Sequence, residues 1–163
     1  MKKTTLCYIE IEDKLLMLHR TKKEQDENKD KYIGLGGHFE EGETAEECML
    51  REVYEESGIK LYDYAYRGVV FFYSDVWTNE EMHLFSAKAD CETLPDCDEG
   101  ELVLLSKEEL FSCNLWQGDR IFLKLLLENA PFFCLELHYH GETLVSARLN
   151  GTNLSLETGR EST

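Results

Sequence analysis

Hydrophobic and polar positions along this chain fall into short runs that read as strands, broken by two clear helical segments. Thr4 to Glu12 (TTLCYIEIE) is rich in strand formers, and Lys14 to Leu18 (KLLML) follows after a Glu12-Asp13 break, which predicts a β-hairpin. Thr21 to Lys31 has no apolar residue and reads as a solvated loop. Tyr32-Ile33 is a short strand that dissolves into the glycines Gly34, Gly36 and Gly37. Thr44 to Ser57 is the clearest helix, because Thr44-x-x-Glu47 fits a capping box and Gly58 stands where a C-terminal glycine belongs. Ala65 to Tyr73 and Glu81 to Ala89 read as paired strands, and Leu102 to Leu105 as another short one. Ser106-x-x-Glu109 is a second capping box opening a helical turn. Asp119 to Glu128 is an apolar helix with Asp119 as its expected N-cap, ending before Pro131. Phe132 to Tyr139 and Thr143 to Leu149 suggest a closing hairpin, and Asn150 to Thr163 a polar tail that frays.

Strands followed by helices, without regular β-α alternation, favour an α/β sandwich (α+β) around one mixed sheet. No internal repeat or divisive linker appears, so the expectation is one domain over residues 1–149 and a tail over 150–163. A length of 163 residues and a hydrophobic share of 42% suit that expectation. The six cysteines have no zinc-like or C-x-x-C spacing and are expected to be free thiols. With no run of 18 apolar residues and no signal sequence after Met1-Lys2-Lys3, the expectation is a soluble, cytoplasmic protein without a membrane partner.

Charge changes the picture most. The 33 acidic residues outnumber the 17 basic ones, giving −16 at pH 7. Such a surface argues against polymeric nucleic acid, whose binding needs Lys and Arg to neutralise phosphates. Gly37 to Ile59 holds eight glutamates and one arginine, and Asp90 to Glu101 adds six acidic residues and no basic one. At roughly 100° per residue, Glu52, Glu55 and Glu56 share one edge of the predicted helix, next to an apolar edge of Ala45, Met49, Leu50 and Val53. A glutamate-rich helix alone is compatible with a plain solvated face. The preceding Gly34-x-Gly36-Gly37 adds a backbone that a ligand can approach closely. Carboxylates beside exposed carbonyls make a hard, oxygen-only site suited to Mg²⁺ or Mn²⁺, and magnesium is usually completed by substrate phosphates.

The residues Gly37, Glu43, Arg51, Glu52, Val53, Glu55, Glu56, Gly58 and Ile59 match every defined position of G-x5-E-x7-R-E-U-x-E-E-x-G-U, with U aliphatic. This segment resembles the Nudix box. The resemblance implies an α/β/α Nudix sandwich with a loop-helix-loop, and Mg²⁺-dependent hydrolysis of a nucleoside diphosphate linked to another moiety. It places the metal at Glu52, Glu55 and Glu56, helped by the carbonyl of Gly36 or Gly37. Glu43 and Arg51 would shape the loop-helix-loop, with Arg51 also orienting Glu52. Glu52 is the first choice of general base and Glu99 the second, and Glu99 is also a candidate metal ligand.

Beyond the box, the chain up to about Leu149 is similar to bacterial MutT-type 8-oxo-dGTP diphosphatases. The likeness rests on Thr4 to Tyr8, Leu16 to Thr21, Gly34 to Gly37, Leu115 to Arg120 and the final hairpin. Resemblance to mammalian oxidised-purine hydrolases places Thr5, Arg20, Ile33, Phe72, Trp116 and Asp119 around a nucleotide, and His38 joins them as a substrate-binding candidate. Trp116 would stack on a base, Asp119 would bond a purine edge, and Arg20 would meet the sugar or a phosphate. One departure is Ile33, which stands where those relatives carry a base-reading Asn. The implied activity is conversion of 8-oxo-dGTP, or a related oxidised purine nucleotide, to the monophosphate and pyrophosphate by a monomer. Alternatives within the family are dinucleoside polyphosphates, ADP-ribose or ordinary NTPs. Outside it stand a non-catalytic nucleotide-sensing module and an acidic calcium-binding or protein-interaction surface, both of which predict no turnover.

Overall fold

The computed structural model describes residues 1–22 and 26–156. β1 (Lys2–Ile11) turns back into β2 (Lys14–Arg20) through Glu12 and Asp13, both at positive φ (51° and 69°). Two left-handed residues in a two-residue loop match the right-handed strand twist, so this turn fixes the register Ile11↔Lys14. β1 is buried on both faces: Leu6 and Tyr8 enter one core cluster, while Cys7, Ile9 and Ile11 enter the other. Burial on both faces is why its sequence reads as a near-continuous apolar run instead of an alternation.

The remaining strands are β3 (Tyr32–Ile33), β4 (Asp63–Ser74), β5 (Glu80–Lys88), β6 (Gly100–Leu105), β7 (Phe133–His140), β8 (Thr143–Leu149) and β9 (Thr152–Asn153). They join in the order β3-β2-β1-β5-β4-β7-β8-β9, with β6 also on β2. The β1–β5 and β4–β7 pairs are parallel and the others antiparallel, so the sheet is mixed. α1 (Ala45–Ser57) covers one face through Met49 and Val53. α3 (Gln117–Leu127) covers the other through Phe122, Leu123 and Leu126, and the short α2 (Lys107–Leu110) adds Leu110 there. The result is the expected α/β/α sandwich.

α1 is closed at both ends by its own sequence. The Glu47 N–H donates to Thr44 Oγ1 (3.1 Å) and the Thr44 N–H to Glu47 Oε1 (2.9 Å), while Gly58 at φ 74° donates to the Tyr54 carbonyl. A cap of this kind contributes about 1 kcal/mol. Ser106 and Glu109 repeat the reciprocal pair at α2.

Three expectations need correction. The last helix starts at Gln117, not Asp119, and its N-cap is Trp116, which makes no side-chain capping bond. Asp119 lies in the first turn, 6% exposed, and the Gly118 N–H donates to the Tyr139 hydroxyl at 2.6 Å. A first-turn donor is thus satisfied from β7, and no cap at 119 is needed. Second, the described part of Thr21–Lys31 is not simply solvated, and the expectation for 23–25 lies outside the described residues. Asp26, Glu27 and Asn28 line a cleft, and Lys31 is buried. Third, the tail does not fray at Asn150, because Thr152–Asn153 pairs with β8 and Leu154 and Leu156 pack on the α3-side core. The expectation for 157–163 lies outside the described residues.

All six cysteines are free thiols, with Cys7, Cys48 and Cys97 buried. Among the described residues no helix is long and apolar enough to cross a membrane.

Candidate active site

A cleft of about 550 Å³ opens between the start of β1, the glycine loop, the first turn of α3 and the Asp26–Asn28 segment. Thr5, Arg20, Ile33, Gly36, Gly37, His38, Glu52, Phe72, Glu99, Trp116 and Asp119 all line it. Of the expected residues, Glu43, Arg51, Glu55 and Glu56 lie outside that lining, next to its acidic end.

One end is acidic. Glu56 Oε1 accepts the Gly36 N–H at 3.1 Å, which ties α1 to the glycine loop. Burial, and then the neighbouring Glu99 and Glu52, push the Glu56 carboxyl up to about 8; the Gly36 N–H and Arg20 only partly oppose this. Glu52 is also raised by burial, against the pull of Arg51. Arg51 is the hub of the loop-helix-loop. Its Nε and Nη2 grip Glu43 at 2.6 and 2.9 Å, Nη2 also donates to the His38 carbonyl (3.1 Å), and Nη1 donates to Glu52 Oε2 (3.0 Å). That fork holds the Glu43 carboxyl down at about 2, with help from the Glu40 N–H. Glu55 departs from the expected trio. Its side chain is 58% exposed and pairs with Arg51 at 3.4 Å.

The donor chemistry suits a hard divalent cation. Glu52, Glu56 and Glu99 repel one another where burial outweighs the pull of Arg51 and Arg20, and the atoms these carboxylates offer are all oxygen. Among the described residues no three acidic, histidine or cysteine side chains already converge on one point, so these carboxylates would have to close around an ion.

The two glycines of the loop do different jobs. A Cβ on Gly36 would lie 1.9 Å from the Thr5 carbonyl oxygen, a collision with backbone that only main-chain movement could relieve. A Cβ on Gly37 would meet the Glu52 carboxyl at 2.4–2.6 Å, the far end of a flexible side chain. Gly36→Ala is therefore expected to lower the melting temperature by several degrees, a loss of about 1–3 kcal/mol. Gly37→Ala should melt near the wild type yet lose most turnover, because the methyl group displaces Glu52. Thermal melts and initial rates on the same preparations separate the two; equal effects of both substitutions would contradict this division.

The other end is aromatic. Phe72, Trp116 and Tyr139 are in mutual contact, with centroids 4.9–6.0 Å apart, and the Lys31 ammonium sits 4.7 Å from the Trp116 ring centroid. Ile33 supplies an apolar wall. Burial, then the Glu80 charge, raise the Asp119 carboxyl to about 8, against Lys31 and Arg120. Arg20 faces both ends, with Nε on Asp26 at 2.8 Å and Nη1 3.2 Å from Glu99.

Sequence reasoning missed several cleft residues: Lys2, Asp26, Glu27, Asn28, Glu80 and Met82. Glu80 and Met82 alternate along β5 and were findable once the strand is begun at Glu80 instead of Glu81. Asp26-x-Asn28 carried a weaker signal, the spacing of an Asx turn.

The NUDIX domain model matches residues 2–126, more than half of the chain. The protein belongs to the Nudix family. Members of this family generally work with divalent metal ions such as Mg²⁺. Among curated relatives, the Nudix chain is similar to the oxidized purine nucleoside triphosphate hydrolase of Mus musculus, at 29% identity over 104 residues. That stretch spans 63% of this chain and 66% of the relative, just under two thirds of its length. Among solved structures, the MutT protein of Bacillus halodurans superposes with a TM-score of 0.80 at 23% identity, covering 92% of this chain and 98% of that one. The MutT protein of Methanosarcina mazei Go1 gives 0.67 at 22% identity over 78% of this chain and 94% of that one. At these identities the structural likeness establishes the shared Nudix fold.

Proposed function

We propose that this Nudix protein is a Mg²⁺-dependent pyrophosphohydrolase of purine nucleoside triphosphates, with 8-oxo-dGTP or a related oxidised purine nucleotide as favoured substrate. It would release the monophosphate and pyrophosphate and so clear damaged precursors from a cytoplasmic nucleotide pool. The observation that carries the reading is the polarity of one cleft, with a carboxylate cluster at one end and an aromatic wall with a buried acid at the other.

Glu52, Glu56 and Glu99, with a Gly36 or Gly37 carbonyl, are the groups proposed to hold the metal; Glu55 would join by turning from solvent. When bound, a divalent ion would lower the pKa of water and neutralise charge developing on the phosphate bridge. Glu52 is the proposed base. Arg51 bonds its Oε2, which fixes the carboxylate while Oε1 stays available to accept the proton of the attacking water. Phe72 and Trp116 provide surfaces against which a purine would pack. Asp119 would hydrogen-bond its edge, and Ile33 restricts what the opposite wall can read. Thr5 and His38, at the margin of the glycine loop, would contact the sugar or phosphates, as would Arg20.

A turnover panel tests this directly, comparing 8-oxo-dGTP, dGTP, other NTPs, dinucleoside polyphosphates and ADP-ribose with Mg²⁺. The expected result is highest kcat/KM for 8-oxo-dGTP, with pyrophosphate as co-product. An efficiency no better than for dGTP would remove the oxidised-base assignment and leave pyrophosphohydrolysis standing. Absence of turnover on every nucleotide would remove both.

A further inference from the structure

The segment that composition marks as a solvated loop ties the two ends of the cleft together. Arg20 Nη1 stands 3.2 Å from Glu99 Oε1, and Arg20 Nε donates to Asp26 Oδ2 at 2.8 Å. The other oxygen of that carboxylate, Oδ1, accepts the Asn28 backbone N–H at 2.9 Å. Asn28 Oδ1 then accepts the Trp116 indole N–H at 2.8 Å. An unbroken series, Glu99–Arg20–Asp26–Asn28–Trp116, thus runs from the acidic end to the aromatic end.

Three features separate this series from ordinary loop bonding. An Asx turn needs only the Asp26–Asn28 bond, yet the second carboxylate oxygen of Asp26 and the amide oxygen of Asn28 each go to a cleft side chain, while their backbone carbonyls serve the local turn. The Asp26 side chain is only 5% exposed, so its charge-assisted bond to Arg20 is shielded from water and holds its geometry. The Arg20 guanidinium is a rigid plane that presents different nitrogens to Glu99 and Asp26. It cannot shift toward one partner without moving relative to the other.

We propose that Asp26 and Asn28 are positioning residues that couple occupancy of the aromatic end to the placement of Arg20 and Glu99, and so help set which nucleotide is turned over efficiently. The inference rests on the reading of the cleft as a nucleotide site. A base packed against Trp116 holds the indole where its N–H meets Asn28. Asn28 and Asp26 then fix Arg20, and Arg20 fixes Glu99. A base that leaves Trp116 loose also leaves the acidic end loose, so discrimination appears in kcat as well as in KM.

The test uses the full chain carrying Trp77→Phe, which leaves Trp116 as the one tryptophan. Asn28→Ala, Asp26→Asn, their combination and Asn28→Asp are compared in that background with Mg²⁺ and either 8-oxo-dGTP or dGTP. Each of the first two is expected to reduce the kcat/KM ratio between the two nucleotides about tenfold, the effect of one buried hydrogen bond. The combination should lose no more than the larger single effect, since both cut one series. Asn28→Asp keeps the acceptor oxygen and should restore most of the discrimination. Asp26→Asn, which keeps Oδ1 for the turn and is the variant least disturbing to folding, should still shift Trp116 emission although it does not touch the indole. Additive losses, or Asp26→Asn with unchanged emission, overturn the coupling. If the wild type hydrolyses both nucleotides equally, only the oxidised-base assignment falls. The coupling is then read from Trp116 emission and from the fall in kcat of Asn28→Ala on the best-hydrolysed nucleotide. If the wild type hydrolyses nothing, the enzymatic reading falls, and the emission of Asp26→Asn alone decides the coupling.

Discussion

The Glu56→Gln variant is expected to fold normally and to lose at least about 10²-fold in kcat, the scale of removing one preorganised electrostatic contact from an active site. Glu56 sits at the junction that the proposed chemistry needs. It anchors α1 to the Gly36 N–H and places a carboxyl beside Glu52 and Glu99. Glutamine keeps an acceptor for that N–H, so the fold survives, but it cannot give up a proton to become the anion that a cation would bind. Near-normal turnover would move the metal elsewhere.

The same variant carries a stability signature. The folded-state pKa of Glu56 is about 8, above the ordinary carboxylate range, so between that range and pH 8 the folded chain holds a proton that the unfolded chain has lost. Unfolding then releases protons, and stability falls as pH rises through this window. In EDTA, the wild-type melting temperature should decline from pH 5 to pH 8, and Glu56→Gln should show a shallower decline. Asp119, Glu52 and Glu27, displaced in the same direction, contribute to what remains. Adding Mg²⁺ at pH 8 should raise the wild-type melting temperature clearly and that of Glu56→Gln little. An identical pH slope in both proteins would mean that Glu56 titrates like a solvated carboxylate.

Sequence alone exposed these features unequally, and the difference is physical. α1 was legible to the residue because Thr44, Glu47 and Gly58 encode its ends through local bonds. The first hairpin was legible because a two-residue turn announces itself between apolar runs. The start of α3 was not, because its first-turn donor is satisfied by the Tyr139 hydroxyl, 21 positions away, and no local pattern reports that bond. The Asp26–Asn28 wall was hidden for a related reason. Its residues are polar because they bond other polar groups inside a cleft, and composition reads such residues as solvated. Within the box, spacing placed Glu52, Glu55 and Glu56 on one helical edge. It could not report that Arg51 reaches both Glu52 and Glu55, that Glu52 lies against Gly37, or that Glu56 accepts the Gly36 N–H. Periodicity gives direction from the helix axis; which side chains meet depends on what the neighbouring loop presents.

Asp119→Ala is expected to lower the preference for 8-oxo-dGTP over dGTP by about 10–100-fold, the effect of leaving one buried polar partner unmatched. Helix capping no longer competes as an explanation, since Trp116 holds the cap position and Asp119 lies inside the first turn. What Asp119 offers is a buried carboxyl that the loss of water, and then the field of Glu80, keep mostly protonated at neutral pH. In that form it donates a hydrogen bond to a base acceptor, which a carboxylate cannot do. The pH dependence follows with a definite sign. Preference should hold below pH 8 and fall above it, as the proton leaves and the anion faces the Glu80 charge. Asp119→Asn, which keeps a donor and cannot ionise, should retain much of the preference and lose its decline at high pH. Stability supplies the control: at pH 9 the wild type bears the cost of a buried anion and Asp119→Ala does not, so the variant should melt no lower there. Specificity constants from pH 6 to 9, with melts at the same values, test the assignment. If Asp119→Ala melts lower at every pH while keeping its preference, the carboxyl serves the packing of α3, and base reading passes to the other polar groups of that wall.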